Sequence, residues 1–227
     1  MDRFSEWFVP KFGPRNFRLC CGILFLPYTG MVVSFAIWGS LVVNFSVERI
    51  VAICVLYFLA VGVSAHCLDA IGSKSKPWGV LSKKKIIVVS LASLSVACVI
   101  GLYYAFLDSP LLFPIGIAEV FFLFSYNLEL FGGKFHNNLV FVISWGALPV
   151  FAGAAIQTNT IQLHGLALAG VASLLSYVLI RTSKKYKKLR LESSHNYAVN
   201  RQEIILKLLS IGVIAYTISN VVLRMLN

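Results

Sequence analysis

Seven apolar stretches, each long enough to cross a hydrocarbon core about 30 Å thick, take up most of the 227 residues and constrain the chain more than any other feature. They lie near 19–43, 50–66, 86–106, 110–130, 138–157, 163–181 and 204–225. A spanning segment in lipid must satisfy its own backbone N–H and C=O groups, so runs of this length fold as helices. The expected architecture is all-α: one domain over 1–227, a polytopic transmembrane helical bundle of about seven spans. With 58% hydrophobic and 13% charged residues, the chain lacks the mixed surface of a soluble domain. The first run is too long for the h-region of a cleaved signal peptide and reads as a retained span.

Charge then orients the bundle. With the N-terminus inside and the C-terminus outside, the outer connections are "NFSVER" (44–49), "LDSP" (107–110) and "QTNTIQLH" (157–164). Of 20 lysines and arginines, only Arg49 and Arg224 fall on that side. The rest crowd into 67–85, 129–138 and 181–203 and the N-terminal head, with Lys207 just inside the last run, the positive-inside pattern of a cell-membrane protein with cytoplasmic basic loops. The net charge of +11 therefore implies contact with membrane lipid. Nucleic acid is not an expected partner, because no motif or aromatic interleaving supports it. Cys20, Cys21, Cys54, Cys67 and Cys98 sit in or beside apolar runs with no CxxC spacing, and read as small buried hydrophobes.

Polar residues near the inner ends of spans mark where chemistry belongs. His66 and Asp69 end the second run, three residues apart and so on one helical face. The fourth run carries Glu119, then Tyr126 on nearly the same face, and ends in "SYNLELFGGKFHNN" with Glu129, Lys134 and His136. Gly132-Gly133 allows a tight turn there. If the two ends converge, His66, Asp69, Glu129 and His136 form a set of metal ligands, an acid/base group or an orienting hydrogen-bond network. Oxygen ligands favour magnesium, and two histidines with two carboxylates suit a transition metal equally. Lys74, Lys76, Lys83, Lys84, Lys85, Lys134, Arg181, Lys184 and Lys185 are placed to surround a phosphorylated headgroup. Glu119, deeper in the span, reads as a carboxyl hydrogen-bonded to a neighbouring helix. His164 and His195 read as solvated loop residues. No P-loop, HExxH or GxSxG motif is present.

The order of these features resembles the UbiA superfamily of intramembrane prenyltransferases. "AHCLDAIGSKSKPWGVLS" is similar to that family's first aspartate-rich region, with Asp69 at the later aspartate, His66 where the earlier one stands, Lys76-Pro77 at the basic-Pro step and Gly79-Val80-Leu81-Ser82 opening the third span. Tyr126 and Lys134 resemble the tyrosine and lysine after the fourth span, and "WGALPVFAG" (145–153) is similar to a broken fifth span. The likeness runs over roughly residues 15 to 190. It implies a helical bundle around a cavity open sideways to lipid, with a prenyl diphosphate held at the cytoplasmic end by Mg²⁺ between two aspartate-rich loops. Asp69, His66, Tyr126 and Glu129 would then be the catalytic group, and Lys74, Lys76, Lys134, Arg181, Lys184 and Lys185 the diphosphate-binding group. Metal would fall to Asp69, His66, Glu129 and His136.

The chain departs from that pattern where the second aspartate-rich loop belongs. "RTSKKYKKLRLESSH" offers Glu192 among many cations, and the family's usual nine helices exceed the seven runs here. Three readings follow: a divergent enzyme transferring a prenyl group to a lipid or aromatic acceptor, a non-catalytic isoprenoid- or phospholipid-binding protein, and a His/carboxylate metal enzyme of other chemistry. A partner membrane subunit is a further way to supply the missing carboxylates.

Overall fold

The computed structural model describes residues 3–72, 78, 81–192 and 197–226, and every regular element among them is helical. Six helices are long and apolar enough to cross a membrane: α1 (Arg15–Leu41), α2 (Val47–Gly72), α3 (Lys83–Leu107), α5 (Asn138–Thr158), α6 (Leu163–Glu192) and α7 (Tyr197–Leu226). The seventh apolar run forms the shorter α4 (Leu112–Asn127). Its 16 residues reach about 24 Å at 1.5 Å per residue, less than the span expected at 110–130. The chain is thus an all-helical protein compatible with a multi-pass membrane bundle.

Two of the expected boundaries move. The basic stretch 181–203 is not a loop, because α6 runs on to Glu192 and α7 begins at Tyr197. Its lysines and arginines are good helix formers with no Gly or Pro among them, so nothing ends the helix where the apolar run ends. α1 is broken at Phe25, which adopts a left-handed conformation (φ 42°, ψ 57°). Pro27 cannot donate to a continuous ladder and instead opens the following helix, Leu26–Leu41. Thr29 Oγ1 donates to the Leu24 carbonyl at 2.7 Å and satisfies one of the acceptors released by the break.

The bundle closes around α1 and α5, whose packing is the most extensive of any helix pair. Small residues make the approach possible. A Cβ on Gly39 would fall 1.9 Å from the Val150 carbonyl oxygen, and one on Gly153 would fall 1.9 Å from that of Ala36. Ser40 Oγ donates across the same crossing to the Gly153 carbonyl at 3.0 Å, the small-residue packing that serves helices where lipid removes a hydrophobic drive. α7 joins through Trp38 Nε1, which donates to Thr217 Oγ1 at 2.7 Å.

Helices alternate in direction, so the bundle has two chemically different ends. At one, Arg49 donates to Asp108 and to the Ile156 carbonyl, each at 2.5 Å, and ties three connections together. At the other gather the N-terminal head, the starts of α1, α3, α5 and α7 and the ends of α2, α4 and α6, together with most of the basic residues. This basic end holds the candidate site.

Candidate functional site at the basic end

Local irregularities open the site. Residues Phe58–Ala65 of α2 and Ile143–Ala147 of α5 are wound as π-helix, which adds a residue per turn and re-aims the side chains that follow; such segments recur at functional sites. The first lies immediately before His66 and Asp69. The second contains Trp145. Both feed a cavity of about 220 Å³ walled by α1, α2, α4, α5, α6, α7 and the N-terminal head.

His66, Asp69, Tyr126, His136 and Lys184 all line this cavity, so the C-terminal ends of the second and fourth runs converge. Asp69 interacts electrostatically with Tyr28, His66, Tyr126 and Lys187. It makes no hydrogen bond or ion pair with any described residue, which leaves its carboxylate available to a ligand. Two more polar atoms on the wall are buried without a hydrogen-bond partner among the described residues, the Tyr28 hydroxyl and His66 Nε2. Buried polar atoms are nearly always satisfied, and Tyr28 is 8% exposed, so these two are placed for a ligand that hydrogen-bonds.

His136 is held differently. Its Nδ1 lies 2.9 Å from the Tyr126 carbonyl oxygen, and its ring stacks on the Tyr126 ring with centroids 4.3 Å apart and planes 28° from parallel. A carbonyl only accepts, so Nδ1 carries a proton, and in the neutral ring Nε2 presents a lone pair. Gly132 and Gly133, both at positive φ (68° and 76°), make the tight turn that brings His136 back over Tyr126.

The other expected residues are placed elsewhere. Glu129 stands in the turn after α4 at φ 50° and does not line the cavity. Nor do Lys134, Arg181 and Lys185. Arg181 turns back along α6 to Tyr177, donating to its hydroxyl at 3.1 Å. Lys74 and Lys76 lie outside the described residues. Among the described residues, no three His, Cys, Asp or Glu side chains are grouped to hold a metal ion. Glu119 and Tyr126, read as sharing a face, serve different spaces: Glu119 faces a groove on the side of the bundle, where it accepts a hydrogen bond from Tyr57 on α2.

Several cavity residues carried no signal in the sequence. Arg3, Glu6, Trp7 and Phe8 belong to the N-terminal head, which folds over the mouth. Arg18 fixes this head by donating to the Phe4 and Pro10 carbonyls at 2.8 and 2.7 Å. Glu6, 5% exposed, takes an ion pair from Arg190 at 2.5 Å and a hydrogen bond from Tyr186 at 2.9 Å. Lys187 lies one helical turn beyond Ser183 on the cavity side of α6, and Arg3 sits over the Trp78 ring at 5.6 Å. Arg3, Lys184 and Lys187 thus give the mouth three cations around one uncommitted carboxylate, Asp69. Below them the wall is aromatic: Trp7, Phe25, Tyr28, Tyr126, Phe141 and Trp145. The space is shaped for an anion attached to an apolar body.

No protein-family model matches the chain, no curated protein does, and no solved structure does.

Proposed function

We propose that the protein binds an isoprenyl diphosphate in this cavity from the cytoplasmic side and transfers its prenyl group, as the resemblance to the UbiA superfamily implies. One observation carries the reading: three cations, one free carboxylate and two unpartnered polar atoms surround the mouth of an aromatic-walled cavity inside an otherwise apolar bundle. A diphosphate accepts hydrogen bonds and meets the cations, and the prenyl chain packs on the rings.

Each group then has a role. Arg3, Lys184 and Lys187 hold the departing diphosphate as the bond from the prenyl carbon to oxygen breaks, acting as fixed charges aimed at where negative charge grows. The faces of Tyr126 and Trp145 stabilise the allylic cation left behind. The acceptor's oxygen or carbon bonds to that cation and gives up its proton at His136 Nε2. Tyr28 and His66 orient the diphosphate. The donor set fits a single hard cation and not a two-metal cluster: Asp69 offers oxygen, Glu6 is committed to Arg190, and imidazole nitrogens do not suit magnesium. Magnesium at Asp69 would neutralise charge on the leaving group.

A second reading, a protein that binds the diphosphate lipid without ionising it, is favoured by the presence of only one uncommitted carboxylate on the described wall. Equilibrium binding of geranylgeranyl diphosphate to the purified protein tests what both readings share. Saturable binding, weakened about tenfold by Lys184→Gln or Lys187→Gln through loss of one charged hydrogen bond, is the expected result. Binding that ignores both substitutions would remove the cavity from the account.

A further inference from the structure

A second space lies on the side of the bundle, between α3 and α4 with α2 behind them. It is a groove of about 460 Å³ that shares no lining residue with the cavity at the basic end. Leu102, Ile117 and Phe121 on it are exposed, so it opens toward the apolar surroundings of the bundle. Two glycines help to make the room: no atom lies within 4 Å of where a Cβ on Gly116 would stand, and a Cβ on Gly101 would meet only Leu56 Cδ1 at 3.4 Å. The volume falls in the range of small-molecule pockets, about 300–1,000 Å³.

Among the described residues the lining is hydrocarbon apart from the Cys98 thiol and Glu119, its one carboxyl. One oxygen of Glu119, Oε1, accepts the hydroxyl of Tyr57, which is 2% exposed. The other oxygen has no partner among the described residues. A half-satisfied carboxyl at membrane depth is costly and tends to face a partner. An acyl chain alone supplies none. An amine would answer only the charged carboxylate and a ketone only the protonated acid, whereas a hydroxyl both donates and accepts and so serves either form.

We infer that this groove is a binding site for a neutral lipid alcohol, a single hydrocarbon chain whose terminal hydroxyl hydrogen-bonds to Glu119. The chain lies along the seam between α3 and α4, filling the space over Gly101 and Gly116. No cation among the described residues lines the groove, which disfavours a phosphorylated lipid, and the site stands independently of the diphosphate reading.

The test uses the full chain in detergent with a photoreactive farnesol analogue, its diazirine in the chain and its hydroxyl free, beside the same probe with the hydroxyl replaced by hydrogen. The alcohol is expected to label residues within 94–105 and 113–123 about tenfold more efficiently at limiting concentration, the worth of one buried hydrogen bond. Gly116→Leu is expected to abolish that labelling. No atom lies within 4 Å of the new Cβ, the rest of the side chain enters the open groove, and leucine improves helix propensity, so the variant should keep its unfolding temperature. Equal labelling by the two probes would overturn the proposal and make the groove a seat for ordinary acyl chains. So would unchanged labelling in Gly116→Leu. Should that variant not fold, the comparison of probes on the unaltered protein decides alone.

Discussion

Tyr126 and His136, ten residues apart, hold each other in place twice, once by stacked rings and once by the bond from His136 Nδ1 to the Tyr126 carbonyl. The second contact needs only the backbone of Tyr126. Tyr126→Phe should therefore keep both contacts and change stability little, while Tyr126→Ala should cost about 3–5 kcal/mol by emptying a core position. Thermal unfolding in detergent separates the two. Equal losses would place the weight on the hydroxyl and not on the ring.

The crossing of α1 and α5 predicts a sharp contrast among glycines. Gly39→Ala pushes a methyl group into the Val150 carbonyl and should cost about 3 kcal/mol, the upper end for overpacking. Gly170→Ala meets nothing within 4 Å and should be neutral or stabilising by up to about 1 kcal/mol. Size-exclusion monodispersity and unfolding midpoints of the two variants provide the comparison, and a Gly39→Ala protein as stable as the unaltered chain would contradict the packing described.

Glu6 latches the N-terminal head over the cavity. Glu6→Ala leaves Arg190 and Tyr186 without their carboxylate in a largely buried setting, which should destabilise the head by about 3–5 kcal/mol. The expected signature is local: trypsin should cut faster after Lys11 or Arg15, with little change within α5. Exchanging the pair, as Glu6→Arg with Arg190→Glu, should restore part of the protection. Unchanged cleavage in Glu6→Ala would mean that the Arg18 hydrogen bonds and the aromatic contacts hold the head without the Glu6 latch.

At the opposite end, the Asp108 carboxyl titrates below its ordinary range, chiefly because the Arg49 guanidinium donates to it and then because the Ser109 hydroxyl does. A carboxylate depressed in the folded state contributes stability that is fully present above its unfolded pKa, about 3.9. That contribution is lost as pH falls through the folded value. The unfolding temperature should accordingly drop below about pH 4, and Asp108→Asn should be lower at neutral pH with a shallower fall on the acid side. Parallel curves for the two proteins would show that another group governs the acid limb.

The helical architecture was legible because the apolar runs are long, and chain length in lipid leaves helices as the answer. The meeting of His66, Asp69, Tyr126 and His136 was legible in part, since both span ends lie on one side of the bundle, whereas Glu129, expected with them, stands off the cavity wall. Less visible was anything that depends on a bend. The left-handed turn at Phe25 and the π-helical stretches at 58–65 and 143–147 have no periodicity signal of their own, yet they decide which side chains face the cavity. The continuation of α6 to Glu192 was hidden because loss of hydrophobicity was read as the end of a helix, when it marks only the end of the apolar part. Arg3, Glu6 and Lys187 were missed for a related reason: a charge on a short head or in a basic stretch looks solvated until tertiary structure folds it over a mouth.

The central claim is that the cavity at the basic end handles a prenyl diphosphate through Asp69. Its most direct test is release of diphosphate from geranylgeranyl diphosphate by the purified protein, with and without Mg²⁺, beside Asp69→Asn and with binding measured on the same samples. The account predicts release that requires both the metal and Asp69, with binding retained in part by the variant through Arg3, Lys184 and Lys187. Release unaffected by Asp69→Asn, or absence of both binding and release, would contradict it.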